Sequence, residues 1–261
     1  MPDQTEIMID VQGVSKTYVT RDGAVEAIRS VSFQVHRGEF VAILGPSGCG
    51  KSTLMLMIAG LLEPSGGKVY MAGSQVTSPQ TDIGIVFQRP VLLDWRNALG
   101  NVLIQVELRR LNPKDYEARA RHLLKSTGLE GFENKYPFEL SGGMQQRVSI
   151  CRALVHNPPL LMMDEPFGAL DALTREQMRI DVERLMMEEQ KTVLFVTHSI
   201  PEAVQLADRV VVMGPRPSVI ERIIEIDLPR PRHRAVQESP RFLDYVREIT
   251  DIFMVRGVLH D

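Results

Sequence analysis

The stretch "GPSGCGKST" at 45–53 contains the residue types that bind nucleotide phosphates. Gly45, Gly50, Lys51 and Ser52 fit the spacing G-x-x-x-x-G-K-[ST]. Glycines let backbone N–H groups curl around phosphate oxygens, lysine reaches the β- and γ-phosphates, and the serine hydroxyl ligates Mg²⁺. Apolar runs typical of a strand ("FVAIL") and a helix ("LMLMIAGLL") flank the loop. We therefore predict a phosphate site, with the lysine also catalytic, formed by Gly45, Pro46, Ser47, Gly48, Cys49, Gly50, Lys51, Ser52 and Thr53.

Two carboxylates end another apolar run, "PLLMMDE" at 159–165. A carboxylate at the carboxyl end of a buried strand is well placed beside the metal of a phosphate loop. We expect Asp164 to hold Mg²⁺ through water and Glu165, which points elsewhere, to polarise the attacking water as general base. The alternative is that both carboxylates are solvated at the end of the strand and have no catalytic role. The presence of the phosphate loop disfavours this alternative.

A third apolar run, "TVLFVTH" at 192–198, delivers His198 to the same predicted sheet edge. An imidazole there could hydrogen-bond the γ-phosphate and hold the water in line with Glu165. A lone histidine at a strand end is more often a plain surface residue. Its place after a third predicted sheet strand favours the catalytic interpretation.

A second anion cradle is predicted at "LSGGMQQR", residues 140–147. Ser141 is a good helix N-cap, and Gly142 and Gly143 leave the N–H groups of the helix start bare. The chain therefore carries two predicted phosphate cradles far apart in the sequence.

The elements around these residues predict an α/β fold. Continuous apolar runs are typical of parallel strands buried on both faces, and the first forty residues alternate as antiparallel strands. We predict a single domain over 1–261 with a P-loop NTPase core and a mostly parallel sheet at 7–88 and 157–228. The core includes an N-terminal antiparallel β subdomain, and a helical lobe is inserted at 89–156.

The last predicted segment, 229–261, is a linker followed by a helix that begins at Ser239 and Pro240. Its basic part, "RPRHR" at 230–234, is interpreted as a solvated linker. Contact with phosphate headgroups or with a regulator is the alternative, and the sequence does not decide its role.

Composition excludes several classes of protein. The chain has 261 residues, 44% of them hydrophobic, and a net charge of −3, which favours a globular protein without a basic face for nucleic acid. Two cysteines form no disulfide framework, which indicates a reducing compartment. "MPDQTEIMID" is unlike a secretory signal, and no run reaches the ~18 apolar residues of a membrane span. A membrane connection is therefore expected to run through a partner.

In their order and content these motifs resemble those of the ATP-binding cassette (ABC) ATPases, from about residue 8 to 228. "LSGGMQQR" is similar to the family signature, usually LSGGQ, with Met144 in the fifth position. "VFQ" at 86–88 resembles the Q-loop, and "GALD" at 168–171 resembles the D-loop, with Gly168 where serine is commoner.

The resemblance implies roles for further residues. Gln88 would contact Mg²⁺ and the attacking water, Tyr18 in "SKTY" would stack on adenine, and Asp171 would lie at a subunit contact. In this family two cassettes face head to tail, and each ATP lies between them. Ser141, Gly142 and Gly143 would therefore bind the γ-phosphate held by the phosphate loop of a second ABC ATPase subunit, expected to be an identical copy.

The family contains both transporter subunits and soluble ATPases. "QRPVLLDWRNALGNV" resembles the importer pattern that opens the helical lobe to a permease helix, with Asp94 replacing the usual proline. Together with "LPRPRHR" and "SPRF" it looks most like the nitrate, sulfonate and taurine importer group. An iron–sulfur assembly ATPase of similar length is the main rival. A small-molecule kinase is disfavoured by the signature and by Glu165.

The importer resemblance implies a set of partners and a location. The partners are integral membrane permease subunits and, indirectly, a periplasmic or lipid-anchored solute-binding protein, with no nucleic acid. The location is peripheral, on the cytoplasmic face of the inner membrane. Trp95 is expected to be partly exposed until the permease docks. The sequence leaves open the solute, the identity of the second cassette and the reactivity of Cys49. We interpret Cys49 as a small side chain that fills space under the loop.

Overall fold

The computed structural model of the chain describes residues 6–21 and 23–258, so the predicted limits 1 and 261 and the first five residues of "MPDQTEIMID" lie outside it. Ten strands occur in the described residues: β1 (Ile7–Thr20), β2 (Gly23–His36), β3 (Phe40–Leu44), β4 (Gly66–Met71), β5 (Ser74–Gln75), β6 (Ile83–Val86), β7 (Leu160–Asp164), β8 (Thr192–Thr197), β9 (Arg209–Met213) and β10 (Ser218–Glu225). The α-helices there are α1 (Lys51–Ile58), α2 (Ala98–Leu108), α3 (Pro113–Ser126), α4 (Gly142–Leu154), α5 (Ala172–Glu189), α6 (Ile200–Leu206) and α7 (Pro240–Val255). Short 3-10 helices span Pro137–Glu139 and Arg234–Glu238.

The chain divides into two compact units. The first contains the residues up to Thr81 together with those from Thr192 onward, and the second runs from Asp82 to Lys191. The second unit contains the helices of the predicted lobe together with β6, β7 and α5. The narrower predicted limits of that lobe, 89–156, stay a prediction.

The first unit is built on one mixed sheet with the strand order β5-β4-β1-β2-β10-β9-β3-β8. Strands β9, β3 and β8 are parallel neighbours, and β5, β4, β1 and β2 form the antiparallel part predicted at the N-terminal end. All five residues of β3 and all six of β8 are buried, as expected for strands covered on both faces.

Parallel pairing in the first unit brings two predicted site segments to one sheet edge. Leu44 at the end of β3 lies opposite Thr197 at the end of β8. The phosphate loop follows the first of these residues and His198 follows the second. Loops that leave the carboxyl ends of neighbouring parallel strands emerge side by side, which is the usual place for a ligand in an α/β sheet.

The second unit repeats this arrangement with β6 and β7. These strands are parallel, with Val86 opposite Met163, so that the segments containing Gln88 and Asp164 leave the same edge. Helix α4 covers β6 closely, because a Cβ atom added at Gly84 would meet the backbone oxygen of Ala153 at 2.5 Å.

The C-terminal basic segment is only partly the solvated linker that the sequence predicts. Pro231, His233 and Arg234 are exposed, but Arg232 is 1% exposed. The guanidinium group of Arg232 donates to the carbonyl oxygens of Val204, Gln205, Ala207, Ile226 and Leu228 at 2.6–3.2 Å.

Arg230 also binds carbonyl and carboxylate oxygens at the C-terminal end of α6. It donates to the Leu206 carbonyl at 2.6 Å and to the Asp208 carboxylate at 2.7 Å. Because the last carbonyl groups of a helix lack intrahelical partners, these two arginines satisfy the end of α6. The prediction of a solvated linker is therefore wrong for Arg230 and Arg232.

In the part of the chain that the structure describes, no helix combines the length and apolar character needed to cross a membrane.

We expect Arg232→Ala to lower the free energy of unfolding by roughly 3 kcal/mol, because it strands several buried carbonyl groups and leaves a cavity. Arg241→Ala is the matched control, since Arg241 pairs with Asp227 on the exposed surface and its loss should leave stability unchanged. Urea unfolding followed by circular dichroism measures both. Equal stability of the two variants would contradict a structural role for the buried arginine.

Candidate functional site

The phosphate loop joins β3 to α1 through a backbone that requires glycine. Gly48 and Gly50 have φ values of +77° and +109°, which residues with a side chain rarely adopt. Lys51 is 4% exposed, and its ammonium group donates to the carbonyl oxygens of Gly45 and Pro46, both at 2.9 Å. The lysine charge is therefore held against the loop itself.

The loop also packs too tightly for any side chain at Gly45. A Cβ atom there would lie 2.9 Å from the backbone oxygen of Met213 and 2.9 Å from the Cys49 sulfur. Cys49 is buried, and this burial raises the pKa of its thiol, an effect that the nearby Lys51 charge opposes. A thiol that is buried and protonated is a poor nucleophile, which favours the interpretation of Cys49 as a filler beneath the loop.

The residue types of the predicted metal set fit Mg²⁺. Ser52 lies in the first turn of α1, and the other two predicted ligands, Gln88 and Asp164, also offer oxygen, the donor that this cation prefers. Among the described residues no group of three or more His, Cys, Asp or Glu could hold a metal ion. In nucleotide sites this cation is commonly bound by one or two protein side chains together with phosphate oxygens and water.

Tyr18 lies beside the phosphate-loop helix. Its hydroxyl is 3.2 Å from the Thr53 hydroxyl, and the Lys16 ammonium group is 5.4 Å from the centroid of its ring. The ring is 38% exposed, so part of its surface can accept a flat group by stacking.

His198 is exposed, and the turn that contains it is fixed on both sides. The Thr197 hydroxyl donates to the Glu202 carboxylate at 2.7 Å and accepts from the Ser199 N–H at 3.0 Å. Ser199 in turn caps α6 by accepting from the N–H of Glu202 at 3.4 Å. The His198 imidazole therefore lies in a short, hydrogen-bonded connection between β8 and α6.

In the second unit, Glu165 has an unusual backbone. It follows β7 directly, and its φ of +43° lies in the left-handed region that residues other than glycine seldom occupy. Pro166 and Phe167, next in the chain, are buried and fix this bend. Backbone strain of this kind costs on the order of 1 kcal/mol and is concentrated at functional sites.

Gly168 lies close to the side chains of both Gln88 and Glu165. A Cβ atom at Gly168 would lie 3.3 Å from the side-chain nitrogen of Gln88 and 3.9 Å from a carboxylate oxygen of Glu165. The predicted Q-loop and D-loop residues thus meet the predicted base within one unit. Because Gly168 has no side chain, the Gln88 amide has space beside it.

The second cradle is a capped helix start, as the sequence predicts. Ser141 is the N-cap of α4 and accepts from the Met144 N–H at 3.3 Å. Gly142 is exposed, and a Cβ atom there would meet nothing within 4 Å. A Cβ atom at Gly143 would instead collide with the methyl group of Thr174 in α5. One glycine therefore leaves open space and the other allows close helix packing.

Asp171 caps the neighbouring helix. Its carboxylate accepts from the Thr174 N–H at 3.0 Å, and hydrogen bonding to the Thr174 side chain, followed by that to this N–H, lowers the pKa of the carboxyl group. Thr174 therefore touches both the capping aspartate and Gly143, which ties the predicted D-loop to the second cradle.

Two residues of α4 that the sequence analysis missed hold the Q-loop backbone. Gln146, 1% exposed, donates to the Phe87 carbonyl at 3.2 Å. The Arg152 guanidinium donates to the carbonyl oxygens of Pro90 and Val91, both at 2.7 Å. A polar residue such as Gln146 among the buried positions of an amphipathic helix was the available signal, because a buried amide needs a partner.

Two more missed residues contact the phosphate loop: Arg216 in the turn between β9 and β10, and Ser218 at the start of β10. Nothing in the local sequence indicates this contact, since it joins segments 168 and 169 residues apart.

A phosphate loop after a buried strand, together with a glycine-rich helix start, defines the class of ATP-binding cassettes. A family model described as "ABC transporter" matches residues 28–168. The chain belongs to the ABC transporter family, binds ATP and is an ATPase.

Individual relatives are similar over nearly the whole chain. An uncharacterized ABC transporter ATP-binding protein of Methanocaldococcus jannaschii is 44% identical and covers 96% of this chain and 92% of its own. The taurine import ATP-binding protein of Rhizobium johnstonii is 42% identical, covering 97% of each chain. The nitrate import ATP-binding protein of Synechococcus elongatus is 42% identical over 95% of this chain and 92% of its own.

Solved structures agree. A dimeric ATP-binding cassette in a post-hydrolysis state, bound to ADP and phosphate, has a TM-score of 0.74 and 34% identity, covering 85% of this chain and 100% of its own. The predicted fold class and the resemblance to the nitrate, sulfonate and taurine group are confirmed.

We expect the two signature glycines to differ in their tolerance of alanine. Gly143→Ala should lower the free energy of unfolding by about 1–2 kcal/mol, because the new methyl group must displace Thr174. Gly142→Ala should leave stability unchanged, since its Cβ atom points into open space. Thermal unfolding of the nucleotide-free protein compares the pair. A stability loss at Gly142 equal to that at Gly143 would show that the packing argument is wrong.

Proposed function

We propose that this ATPase powers an importer of nitrate, a sulfonate, taurine or a similar small solute, working as a dimer on the cytoplasmic side of the membrane. Relatives named for the import of taurine and of nitrate, each 42% identical over nearly the full chain, support the solute class. The observation that carries the proposal is Trp95, a large apolar side chain that is 74% exposed on a rigid loop.

The loop that presents Trp95 is held from within by Asn101, which is fully buried. The Asn101 side chain accepts from the Leu93 N–H at 2.7 Å and donates to the carbonyl oxygens of Leu93, Arg96 and Asn97 at 2.8–3.1 Å. Arg96 also forms a two-pronged pair with Glu107 at 2.7 and 2.8 Å.

A side chain so exposed on a loop so well ordered is suited to fill a pocket on a partner. Little conformational freedom is lost on binding, and tryptophan is enriched among the residues that carry interface affinity. We assign this surface to a helix of the membrane permease, which a solute-binding protein supplies from the other side.

The proposed catalytic site is shared between two copies of the chain in head-to-tail contact. One copy provides the phosphate loop, with Tyr18 against the adenine. The other provides the N–H groups of the second cradle, which would bind the γ-phosphate. Asp171 lies at the contact between the copies. A dimeric relative bound to ADP and phosphate supports this arrangement. The residues proposed to bind ATP are Tyr18, Gly45, Pro46, Ser47, Gly48, Cys49, Gly50, Lys51, Ser52 and Thr53 in one copy and Ser141, Gly142, Gly143 and Asp171 in the other.

Hydrolysis requires a water molecule in line with the γ-phosphate and a group that takes its proton. We assign the proton to the Glu165 carboxylate, beside which Gln88 orients the same water and His198 contacts the phosphate. Lys51 and the partner's helix N-terminus neutralise the charge that develops on the phosphoryl oxygens. Mg²⁺, held by Ser52, Gln88 and Asp164, would supply charge neutralisation of the phosphates.

We expect Glu165→Gln to bind ATP, to lose at least 100-fold in hydrolysis, as typical for removal of a general base, and to accumulate as a dimer. The amide cannot accept the proton, and hydrolysis is the step that opens the sandwich. Size-exclusion chromatography with ATP and Mg²⁺ and a phosphate-release assay measure both effects. Glu188→Gln on the exposed face of α5 is the control. A Glu165→Gln chain that stays monomeric or hydrolyses ATP normally would refute the assignment.

We expect acrylamide to quench Trp95 fluorescence readily in the isolated chain and much less in the assembled transporter. Trp95→Ala should leave folding and ATP binding intact and weaken transporter assembly or transport, because it removes the side chain that fills the partner's pocket. Val255→Ala, which truncates another exposed apolar residue, is the control. Normal transport by Trp95→Ala would remove the main argument for an importer over a soluble ABC ATPase such as an iron–sulfur assembly factor.

A further inference from the structure

The turn between β9 and β10, together with Met213 at the end of β9 and Ser218 at the start of β10, lies against the phosphate loop at three backbone positions. The Met213 carbonyl lies where a side chain at Gly45 would have to go. The Arg216 guanidinium donates from Nε to the Gly48 carbonyl, and the Ser218 hydroxyl donates to the Cys49 carbonyl. The Gly48 and Cys49 carbonyl groups therefore accept hydrogen bonds from residues outside the loop.

Those two carbonyl groups belong to peptide units whose other ends are amides of the loop. The peptide bond is planar and trans, so the C=O and N–H of one unit point in opposite directions. Fixing the Gly48 carbonyl therefore fixes the direction of the Cys49 N–H. Fixing the Cys49 carbonyl likewise fixes the direction of the Gly50 N–H.

Two donors of the loop, the Cys49 N–H and the Lys51 ammonium group, share one acceptor. The Cys49 N–H points to the Pro46 carbonyl at 3.3 Å, and the Lys51 ammonium group donates to the same oxygen at 2.9 Å. The Cys49 N–H therefore faces the same oxygen as the charge of Lys51. A phosphate oxygen is the acceptor for which such a glycine-rich nest is suited.

The turn is itself braced, so that it can act as a fixed support. Ser218 is fully buried, and its hydroxyl also lies 3.1 Å from the Gly214 carbonyl. The Gly214 N–H donates to the Val219 carbonyl at 3.0 Å, and the Glu221 carboxylate fills the space where a side chain at Gly214 would lie. Arg256, just beyond α7, donates to that carboxylate at 2.7 Å.

We propose that Arg216 and Ser218 are positioning residues for nucleotide binding, which orient the Cys49 and Gly50 amides toward the β-phosphate by holding the carbonyl side of their peptide units. The proposal rests on the ATP-binding role of the loop. It differs from a second possibility, in which the Arg216 charge attracts phosphates directly, because it requires the neutral Ser218 hydroxyl as much as the arginine.

The experiment is isothermal titration of MgATP and MgADP into the full chain and into Arg216→Ala and Ser218→Ala. Each variant should raise the Kd roughly tenfold, the effect of one lost hydrogen bond that orients a phosphate-binding amide. ATP and ADP should lose affinity by the same factor, since loop amides cradle the α- and β-phosphates that both nucleotides carry. At saturating ATP the kcat should change less than twofold, because Glu165 and its neighbours are untouched.

Arg222→Ala is the control, since Arg222 of β10 forms an exposed ion pair with Glu248 of α7. Circular dichroism checks that each variant is folded. Arg216 is exposed, so its variant carries the test alone if Ser218→Ala does not fold.

Three results would overturn the proposal. The first is unchanged nucleotide affinity in both variants while the wild type binds normally, which would leave the ATPase assignment intact. The second is a loss confined to ATP. The third is an Arg216→Ala effect that vanishes in 1 M salt, because screening at that concentration removes a charge attraction and leaves a hydrogen-bonded support in place. A wild-type chain that bound no nucleotide would instead refute the proposed function itself.

Discussion

A loop that binds phosphate through backbone N–H groups must turn those groups inward, and the carbonyl groups of the same peptide units therefore point outward. The Cys49 carbonyl is buried and needs a protein donor, and the more exposed Gly48 carbonyl accepts from a protein donor as well. The fold meets this constraint with Arg216 and Ser218 on the adjoining turn. The left-handed glycines at 48 and 50 supply the curvature that this inversion of the peptide units requires.

Parallel strands supply the second constraint, because they place several of the functional loops at their carboxyl ends. In the first unit β3 and β8 end in register, so that the phosphate loop and His198 emerge together. In the second unit β6 and β7 do the same for Gln88 and the two carboxylates. The same physical rule operates twice, and within each unit it brings together side chains that are distant in the sequence.

Much of this could be predicted from the sequence because the signals are local. The strand ends before Gly45, Asp164 and His198 are continuous apolar runs, and Ser141 caps α4 as its residue type and glycine neighbours suggest. The missed features are non-local. Arg232 looks like part of a solvated basic linker because its five carbonyl acceptors come from segments that only folding brings near.

The left-handed Glu165 could not be foreseen either, since φ depends on how the buried Pro166 and Phe167 seat the chain after β7. Gly168 has a comparable role, because only its position beside Gln88 shows why a side chain there would crowd the amide.

Helix α4 joins two functions that the sequence shows as separate motifs. Its N-terminus is the second cradle, while its buried Gln146 and its Arg152 hold the backbone of the Q-loop at Phe87, Pro90 and Val91. A helix is stiff along its axis, and two of these three hydrogen bonds are partly buried, so we expect a displacement of the Q-loop backbone to displace the cradle with it. In the proposed dimer the Q-loop senses the chain's own ATP and the cradle senses the partner's. In that dimer the helix would therefore link two nucleotide sites that share no residue.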